Sequence, residues 1–130
     1  MASVSFGDEP RPVHRLVMTA AVQVDVAPDR TVSGQLVDVS MEGAYVAMST
    51  TTEVGGLVRF AFGLEGSTDV CIAYGRVVRF VNLRDSSGIG IRFTRHNPPF
   101  AQWIARVREA PPSDQLVALT AMRNPVIRVR

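Results

Sequence analysis

Val58-Arg-Phe-Ala-Phe-Gly-Leu-Glu65 is the stretch of sequence that decides the fold class. Its apolar residues Val58, Phe60, Phe62 and Leu64 stand at every second position, and small or charged residues stand between them. Because successive side chains of a β-strand point to opposite faces, this alternation predicts a strand with one face buried in a core.

Similar stretches lie on both sides of this one, separated by turn-forming residues. The predicted strands cover residues 16–26, 31–39, 44–48, 58–64, 69–81 and 88–93. A glycine, Gly75, predicts a bend within the long fifth strand. Six short strands at this spacing predict an all-β fold, a closed or nearly closed antiparallel β-barrel.

The hydrophobic period changes after the sixth strand. Pro98 and Pro99 end the strand pattern, and Phe100, Trp103, Ile104 and Val107 follow at helical spacing, which predicts a C-terminal helix. Ser113 is suited to cap a second helix, over 113–122. The predicted organisation is a loose tail over 1–10, a barrel domain over 11–110 and a helical extension over 111–130.

Composition excludes several classes of protein. The chain has 130 residues, 46% of them apolar and 20% charged, which is typical of one folded domain. No apolar run approaches the roughly 20 residues of a membrane span, and the N-terminus has neither the basic start nor the apolar core of a signal peptide. Cys71 is the single cysteine, so we expect no internal disulfide and a cytoplasmic location.

The charge distribution is uneven along the chain. All 14 basic residues are arginine; four of them, with nine acids, lie in residues 1–75, and ten, with three acids, lie in residues 76–130. This asymmetry predicts a basic face for an anionic partner. A genome-wide codon preference would explain the absence of lysine equally well, and Arg76, Arg79, Arg92 and Arg95 are more simply solvated surface charges than an extended anion site.

Two short motifs stand in a fixed order. Arg11-Pro-Val-His-Arg15 opens the folded part, and Asp38-Val-Ser-Met-Glu-Gly43 follows the second predicted strand. Another match to the second pattern, from Asp85 to Gly90, places its glycines at the start of the sixth strand, and we interpret it as accidental. Two guanidiniums, a carboxylate and a hydroxyl at a tight turn suit a site for guanine edges and phosphates.

These motifs, with Gly88-x-Gly90-Ile91-x-Phe93 near the end of the barrel, resemble the RxxxR and DxSxxG signature of PilZ domains over roughly residues 10–110. That resemblance implies a six-stranded PilZ β-barrel that binds the bacterial second messenger cyclic di-GMP. It implies that Arg11 and Arg15 contact phosphates and guanine, that Asp38 and Ser40 hold a guanine, and that Gly43 shapes the turn.

The resemblance implies a receptor that relays cyclic di-GMP levels to a protein partner in motility, pili or exopolysaccharide control. Two acids and a proline, Asp8-Glu9-Pro10, precede the first motif arginine, which suits the alternative of a PilZ-like adaptor that binds protein without nucleotide. A single-stranded nucleic acid partner is disfavoured, since the strands carry no aromatic ladder.

Catalytic and metal-binding patterns are missing from the sequence. His14 and His96 lie far apart, with no cysteine or acid at ligand spacing, so we expect no metal site. No nucleophile–base pair or paired carboxylates stand out, and we expect neither an enzyme nor a cofactor, the ligand cyclic di-GMP aside. Cys71 lies in an apolar stretch and is expected to be a small buried side chain.

Overall fold

A computed structural model describes residues 16–27, 30–49, 55–82, 87–111 and 121–130. The strands and the helix, in chain order, are β1 (Leu16–Ala27), β2 (Arg30–Val39), β3 (Gly43–Ala47), β4 (Leu57–Leu64), β5 (Val70–Asn82), β6 (Ser87–His96), α1 (Pro98–Glu109) and β7 (Met122–Val129). The predicted tail over 1–10 and both arginines of the first motif lie outside the described residues.

The strands form a closed barrel in the order β1-β2-β3-β6-β5-β4-β7, with β7 returning to β1. All neighbouring strands are antiparallel except β7 and β1, which run parallel. The barrel and the C-terminal helix predicted from the sequence are therefore confirmed. In the described part of the chain every strand has a paired neighbour on both sides, so none is an edge strand.

In the part of the chain that the structure describes, the barrel has seven strands where the sequence predicted six. Met122, expected in a helix, is the first residue of β7, while Ser113 and the rest of that predicted helix through residue 120 lie outside the described residues. Ile127 and Val129 are buried and Arg128 between them is exposed, which is the alternation of a strand. This segment forms a strand because it lies between β4 and β1, where its backbone groups hydrogen-bond to both neighbouring strands.

An irregularity in β7 accommodates its proline. Asn124 has a φ of +50°, a left-handed conformation that Asn tolerates better than most residues. The pairing of β4 with β7 shifts register between Ala61 and Gly63, opposite Asn124 and Pro125. Since proline has no N–H to give to a ladder, a bulge is where a strand accepts it.

The core fills the barrel and continues under α1. Its largest fully buried side chains include Phe60, Phe62, Phe100, Leu36, Ile89 and Ile91. The ring centroids of Trp103 and Phe62 lie 4.8 Å apart, and those of Phe100 and Phe93 lie 5.6 Å apart, both in edge-to-face geometry. Phe100 and Trp103 are both buried and anchor α1 to the core.

Asn97 joins α1 to the barrel. Its Oδ1 accepts hydrogen bonds from the Phe100 amide of the first helical turn (3.1 Å) and from the Ile72 amide of β5 (3.0 Å). Its Nδ2 donates to the Val70 carbonyl over 2.8 Å. One side chain thus caps the helix and extends the β5 ladder past the end of β6.

Candidate functional site

The turn between β2 and β3 is built around Ser40. The Ser40 amide donates to the Gly43 carbonyl over 2.8 Å. Its side-chain Oγ accepts from the amides of Glu42 (3.1 Å) and Gly43 (3.3 Å), and Ser40 is 1% exposed. A buried hydroxyl that satisfies two backbone N–H groups holds the turn in one shape.

The same turn is tied to β6 on its far side. The Phe93 amide donates to the Glu42 carbonyl over 2.8 Å, and Gly43 pairs with Arg92. Met41, between Ser40 and Glu42, is partly buried against the core. Because both ends and the middle of the turn are anchored, the segment from Ser40 to Gly43 forms a preorganised part of the barrel surface.

Two bulges turn Asp38 toward the outside of the barrel. The register shifts once between β2 and β3, at Leu36/Asp38, and once between β1 and β2, at Val17/Ala20. Leu36 and Val39, three positions apart, are both fully buried, whereas Asp38 is only half-buried. The extra residue in β2 therefore interrupts the regular alternation of buried and exposed side chains. A β-bulge commonly redirects side chains in this way, and here Asp38 faces outward.

Asp38 begins a row of residues that crosses the outer face of four strands. It pairs with Tyr45 of β3, Tyr45 pairs with Gly90 of β6, and Gly90 pairs with Arg79 of β5. Neighbours across a sheet lie about 5 Å apart. A carboxylate, a phenol and a guanidinium thus follow one another on the barrel wall beside the turn.

Two glycines of β6 leave room for the larger members of this row. A Cβ at Gly90 would lie 3.2 Å from Nε of Arg79, and a Cβ at Gly88 would collide with the hydroxyl of Tyr45. The side chains of Tyr45 and Arg79 therefore lie along the barrel surface, over the glycines. The result is a shallow, polar wall with one aromatic ring.

The sequence-predicted site residues divide into two groups. Asp38, Ser40 and Gly43 lie together at the β2–β3 turn, whereas Arg11 and Arg15 fall outside the described residues. Leu16, which follows Arg15 in the sequence, pairs with Val39, the residue before Ser40. The strand that begins directly after the first motif is thus a partner of the strand that ends in the second.

Comparison with protein families identifies the architecture. The family model of the PilZ domain matches residues 9–108, which covers both motifs and the strands through α1. The chain belongs to the PilZ domain family. A comparison with curated proteins finds no match. The family comprises domains that bind cyclic di-GMP and PilZ-like adaptors, which are binding modules rather than enzymes.

The second match to the DxSxxG pattern has a structural role where it is described. Ser87 and Gly88 open β6, and the Ser87 carbonyl accepts a hydrogen bond from the Met48 amide over 2.9 Å. Gly90 lies in the middle of that strand. These glycines serve strand packing in the PilZ barrel, while Asp85 lies outside the described residues.

Tyr45, Arg79 and Arg92 were not predicted from the sequence as candidate site residues. The outward position of Tyr45 between buried Ala44 and Val46 was a usable signal, because alternation already indicated its face. Arg79 and Arg92 were considered only as part of a larger arginine set. Their nearness to the turn depends on pairing between β3, β6 and β5, which alternation within one strand does not specify.

Other reactive side chains of the PilZ domain have packing roles. Cys71 is a free, fully buried thiol, and burial, followed by the charge of Asp69, raises its pKa to about 11. His96 stacks on Phe100 at 5.5 Å. Among the described residues, no group of His, Cys, Asp and Glu is arranged to hold a metal ion, and no helix is long and apolar enough to span a bilayer.

Proposed function

We propose that this PilZ domain is a cytoplasmic receptor for cyclic di-GMP, and that the outer wall beside the β2–β3 turn is its binding site. The observation that carries the proposal is the outward position of Asp38 next to a turn that Ser40 holds rigid. The carboxylate stands at the start of the row through Tyr45 and Arg79. Acceptor, aromatic ring and cation together match a guanine nucleotide.

Asp38 is proposed to recognise guanine. A carboxylate accepts hydrogen bonds from N1–H and N2–H₂ of guanine, and adenine does not offer that pair of donors. A site that leaves a charged acceptor unpaired with the wrong base rejects that base. Asp38 therefore supplies the discrimination between cyclic di-GMP and a cyclic di-adenine nucleotide.

Arginines are proposed to supply the rest of the affinity. Arg11 and Arg15 would contact the phosphates and the O6/N7 edge of guanine, since guanidinium offers paired donors and stacks on bases. Arg92, which pairs with Gly43 of the turn, and Arg79, at the far end of the row that starts at Asp38, add positive charge for the phosphates. Leu16 pairs with Val39, so a segment that ends at Arg15 meets the barrel one strand away from Asp38.

Ser40 and Gly43 are proposed to act by shaping the turn. The Oγ of Ser40 already accepts two amide hydrogen bonds and is shielded from solvent. Its contribution to guanine binding is therefore to fix the position of the turn from within. Gly43 leaves the outer surface beside Arg92 free of a side chain.

Signal transfer is proposed to run through residues 8–15. Ligand held between this arm and the barrel would order the arm and change the surface offered to a protein partner, an order–disorder switch. Motility, pili and exopolysaccharide control are the outputs that the family suggests.

A PilZ-like adaptor that binds protein without nucleotide is the second candidate. Asp8 and Glu9 favour it, because two carboxylates close to Arg11 repel an anionic ligand. Isothermal titration of cyclic di-GMP into the wild type and into Arg15→Ala separates the candidates. A receptor gives heat with the wild type and much weaker binding with the variant, whereas an adaptor gives no heat with either and captures its partner irrespective of the nucleotide.

A further inference from the structure

A second polar surface lies on the outer face of β4, β5, β6 and β7. Tyr74 of β5 pairs with Arg95 of β6 on one side and with Arg59 of β4 on the other, and Arg59 pairs with Arg128 of β7. The guanidinium carbon of Arg95 lies 4.5 Å from the centre of the Tyr74 ring. These outward residues form one continuous row across four strands.

A parallel row lies two residues away along the strands. Arg76 pairs with Leu57, and Leu57 and Arg130 exchange backbone hydrogen bonds of 3.0 and 2.8 Å. The Arg76 Nη1 donates to the Gly55 carbonyl over 3.0 Å, which holds this side chain at the rim. We call the two rows together the arginine face; it comprises Arg59, Arg76, Arg95, Arg128 and Arg130, with Tyr74 and Leu57.

The arginine face carries an excess of positive charge. In the described part of the chain, Asp25 is the one carboxylate in register with these rows, and its Oδ2 accepts from Nε of Arg128 over 3.3 Å. Hydrogen bonds from Thr31 and Gln23 lower the pKa of Asp25, so it stays ionised. Among the described side chains in these rows, one carboxylate is in register with five guanidiniums, so the uneven charge along the sequence becomes an uneven charge in space.

Arg59 and Arg128 repel each other across β4 and β7, although Asp25 offsets part of the charge of Arg128. Like charges directly opposite each other on neighbouring strands destabilise a sheet, and Arg59 stands opposite Arg128. An anion that bridges the two guanidiniums turns this repulsion into two favourable contacts. The pair is therefore better suited to a complex than to the free chain.

The surroundings of the arginines identify the kind of anion. A groove of about 270 Å³ runs between them, lined by Leu57, Val58, Arg59, Tyr74, Arg128 and Arg130. Leu57 is 51% exposed in this groove, which offers contact to an aliphatic side chain. Single-stranded nucleic acid stacks its bases on open aromatic faces, whereas Tyr74, the one aromatic residue among the described residues that line the groove, has the Arg95 guanidinium over its ring.

We propose that the arginine face docks an acidic polypeptide segment that carries aliphatic side chains. Its carboxylates pair with the guanidiniums of Arg59 and Arg128, and one apolar side chain packs against the exposed Leu57. The contact is made through side chains, because each described strand at this face is already paired on both sides and leaves its ladder closed to the peptide backbone. The arginine face adjoins the proposed nucleotide site, since Arg76 pairs with Arg92, but the peptide proposal does not rest on nucleotide binding.

Fluorescence anisotropy of the full chain tests this surface. The probe is a fluorescein-labelled 12-residue peptide of Glu, Asp and Leu, and a labelled oligouridylate of equal charge is the comparison. The Arg59→Gln/Arg128→Gln variant removes the central pair. Arg106→Gln/Arg123→Gln, two exposed arginines elsewhere, is the matched control because it changes the net charge equally.

The proposal predicts that the wild type binds the peptide more tightly than the oligouridylate, with affinity falling as salt rises. It predicts a loss of about tenfold or more in Arg59→Gln/Arg128→Gln, little change in the control, and a loss of several-fold in Leu57→Gln, which keeps every charge. Equal losses in the two arginine variants, preference for the oligouridylate, or no peptide binding at low salt overturns it. Cyclic di-GMP titration of Arg59→Gln/Arg128→Gln reports separately on the nucleotide site.

Discussion

Ser40 and Gly43 close the β2–β3 turn through their backbones, with 2.8 Å between the Ser40 nitrogen and the Gly43 oxygen. The Ser40 side chain reinforces this contact by accepting the amide hydrogen bonds of Glu42 and Gly43. The turn keeps its shape through its own hydrogen bonds, and Asp38, two residues before Ser40, is positioned by the strand that leads into it.

Replacing Ser40 by alanine is expected to destabilise the fold. Ser40→Ala removes a buried acceptor from two amides, and we expect a loss of about 1–3 kcal/mol in the free energy of unfolding. Urea denaturation measures it. Ser67→Ala is the control, because Ser67 Oγ also accepts an amide hydrogen bond, from Asp69, but in an exposed loop. Similar small losses in both variants would show that the buried turn needs no hydroxyl.

The open wall beside the turn depends on Gly88. Gly88→Ala would bring a Cβ against the Tyr45 hydroxyl and to 2.5 Å from the Val46 carbonyl oxygen. We expect a loss of about 1–3 kcal/mol in the free energy of unfolding, the usual cost of overpacking. Gly63→Ala, whose Cβ would lie 4.0 Å from its nearest neighbour, should change stability by less than about 1 kcal/mol. Equal melting temperatures of the two variants would contradict this account of the wall.

Cys71 makes stability depend on pH in the alkaline range. Burial raises the pKa of this thiol from 9.0 to about 11, so the folded chain keeps a proton that the unfolded chain releases. The contribution of the protonated thiol to the free energy of unfolding is complete below pH 9 and is lost as pH rises toward 11. Over that range the free energy of unfolding falls by up to about 1.4 kcal/mol per pH unit. Urea denaturation from pH 8 to 11 should show a shallower decline for Cys71→Ala than for the wild type. If the free energy of unfolding declined equally with pH in the wild type and in Cys71→Ala, the assignment of Cys71 as a buried thiol would be contradicted.

Asn97 is expected to stabilise the junction between α1 and β5. Asn97→Ala removes the helix cap and both bonds to β5, with an expected loss of about 2 kcal/mol or more. Asn97→Asp keeps the acceptor for Phe100 and Ile72 but removes the donor to Val70. The melting temperature of Asn97→Asp should therefore lie between those of the wild type and Asn97→Ala. An Asn97→Ala variant as stable as the wild type would show that Asn97 does not stabilise the junction.

The sequence predicted the features of the fold that depend only on the residues within a single strand or helix. The alternation from Val58 to Leu64 and the helical spacing of Phe100, Trp103 and Val107 both report which face is buried, and both were interpreted correctly. The seventh strand was not foreseen, because Pro125 and Asn124 weaken its pattern and its partners are β1 and β4, far away in the sequence.

The candidate site was predictable to the extent that it is local. Asp38, Ser40 and Gly43 belong to one turn, so their motif was sufficient to bring them together. Tyr45 and Arg79 join them only through the register of β3 with β6 and of β6 with β5. Likewise, the arginine face arises from strands whose arginines are up to 71 positions apart, from Arg59 to Arg130, and no single stretch of sequence contains it.

Isothermal titration of cyclic di-GMP into the wild type, Asp38→Ala and Asp25→Ala tests the central claim most directly. Asp25 is the matched control, because it is another outward carboxylate and pairs with Arg128 away from the turn. We predict that Asp38→Ala binds about 5- to 150-fold more weakly, corresponding to the loss of 1–3 kcal/mol expected for a charge-assisted hydrogen bond, and that Asp25→Ala binds like the wild type. Absence of heat with the wild type, or equal binding by all three chains, would contradict a guanine site at Asp38.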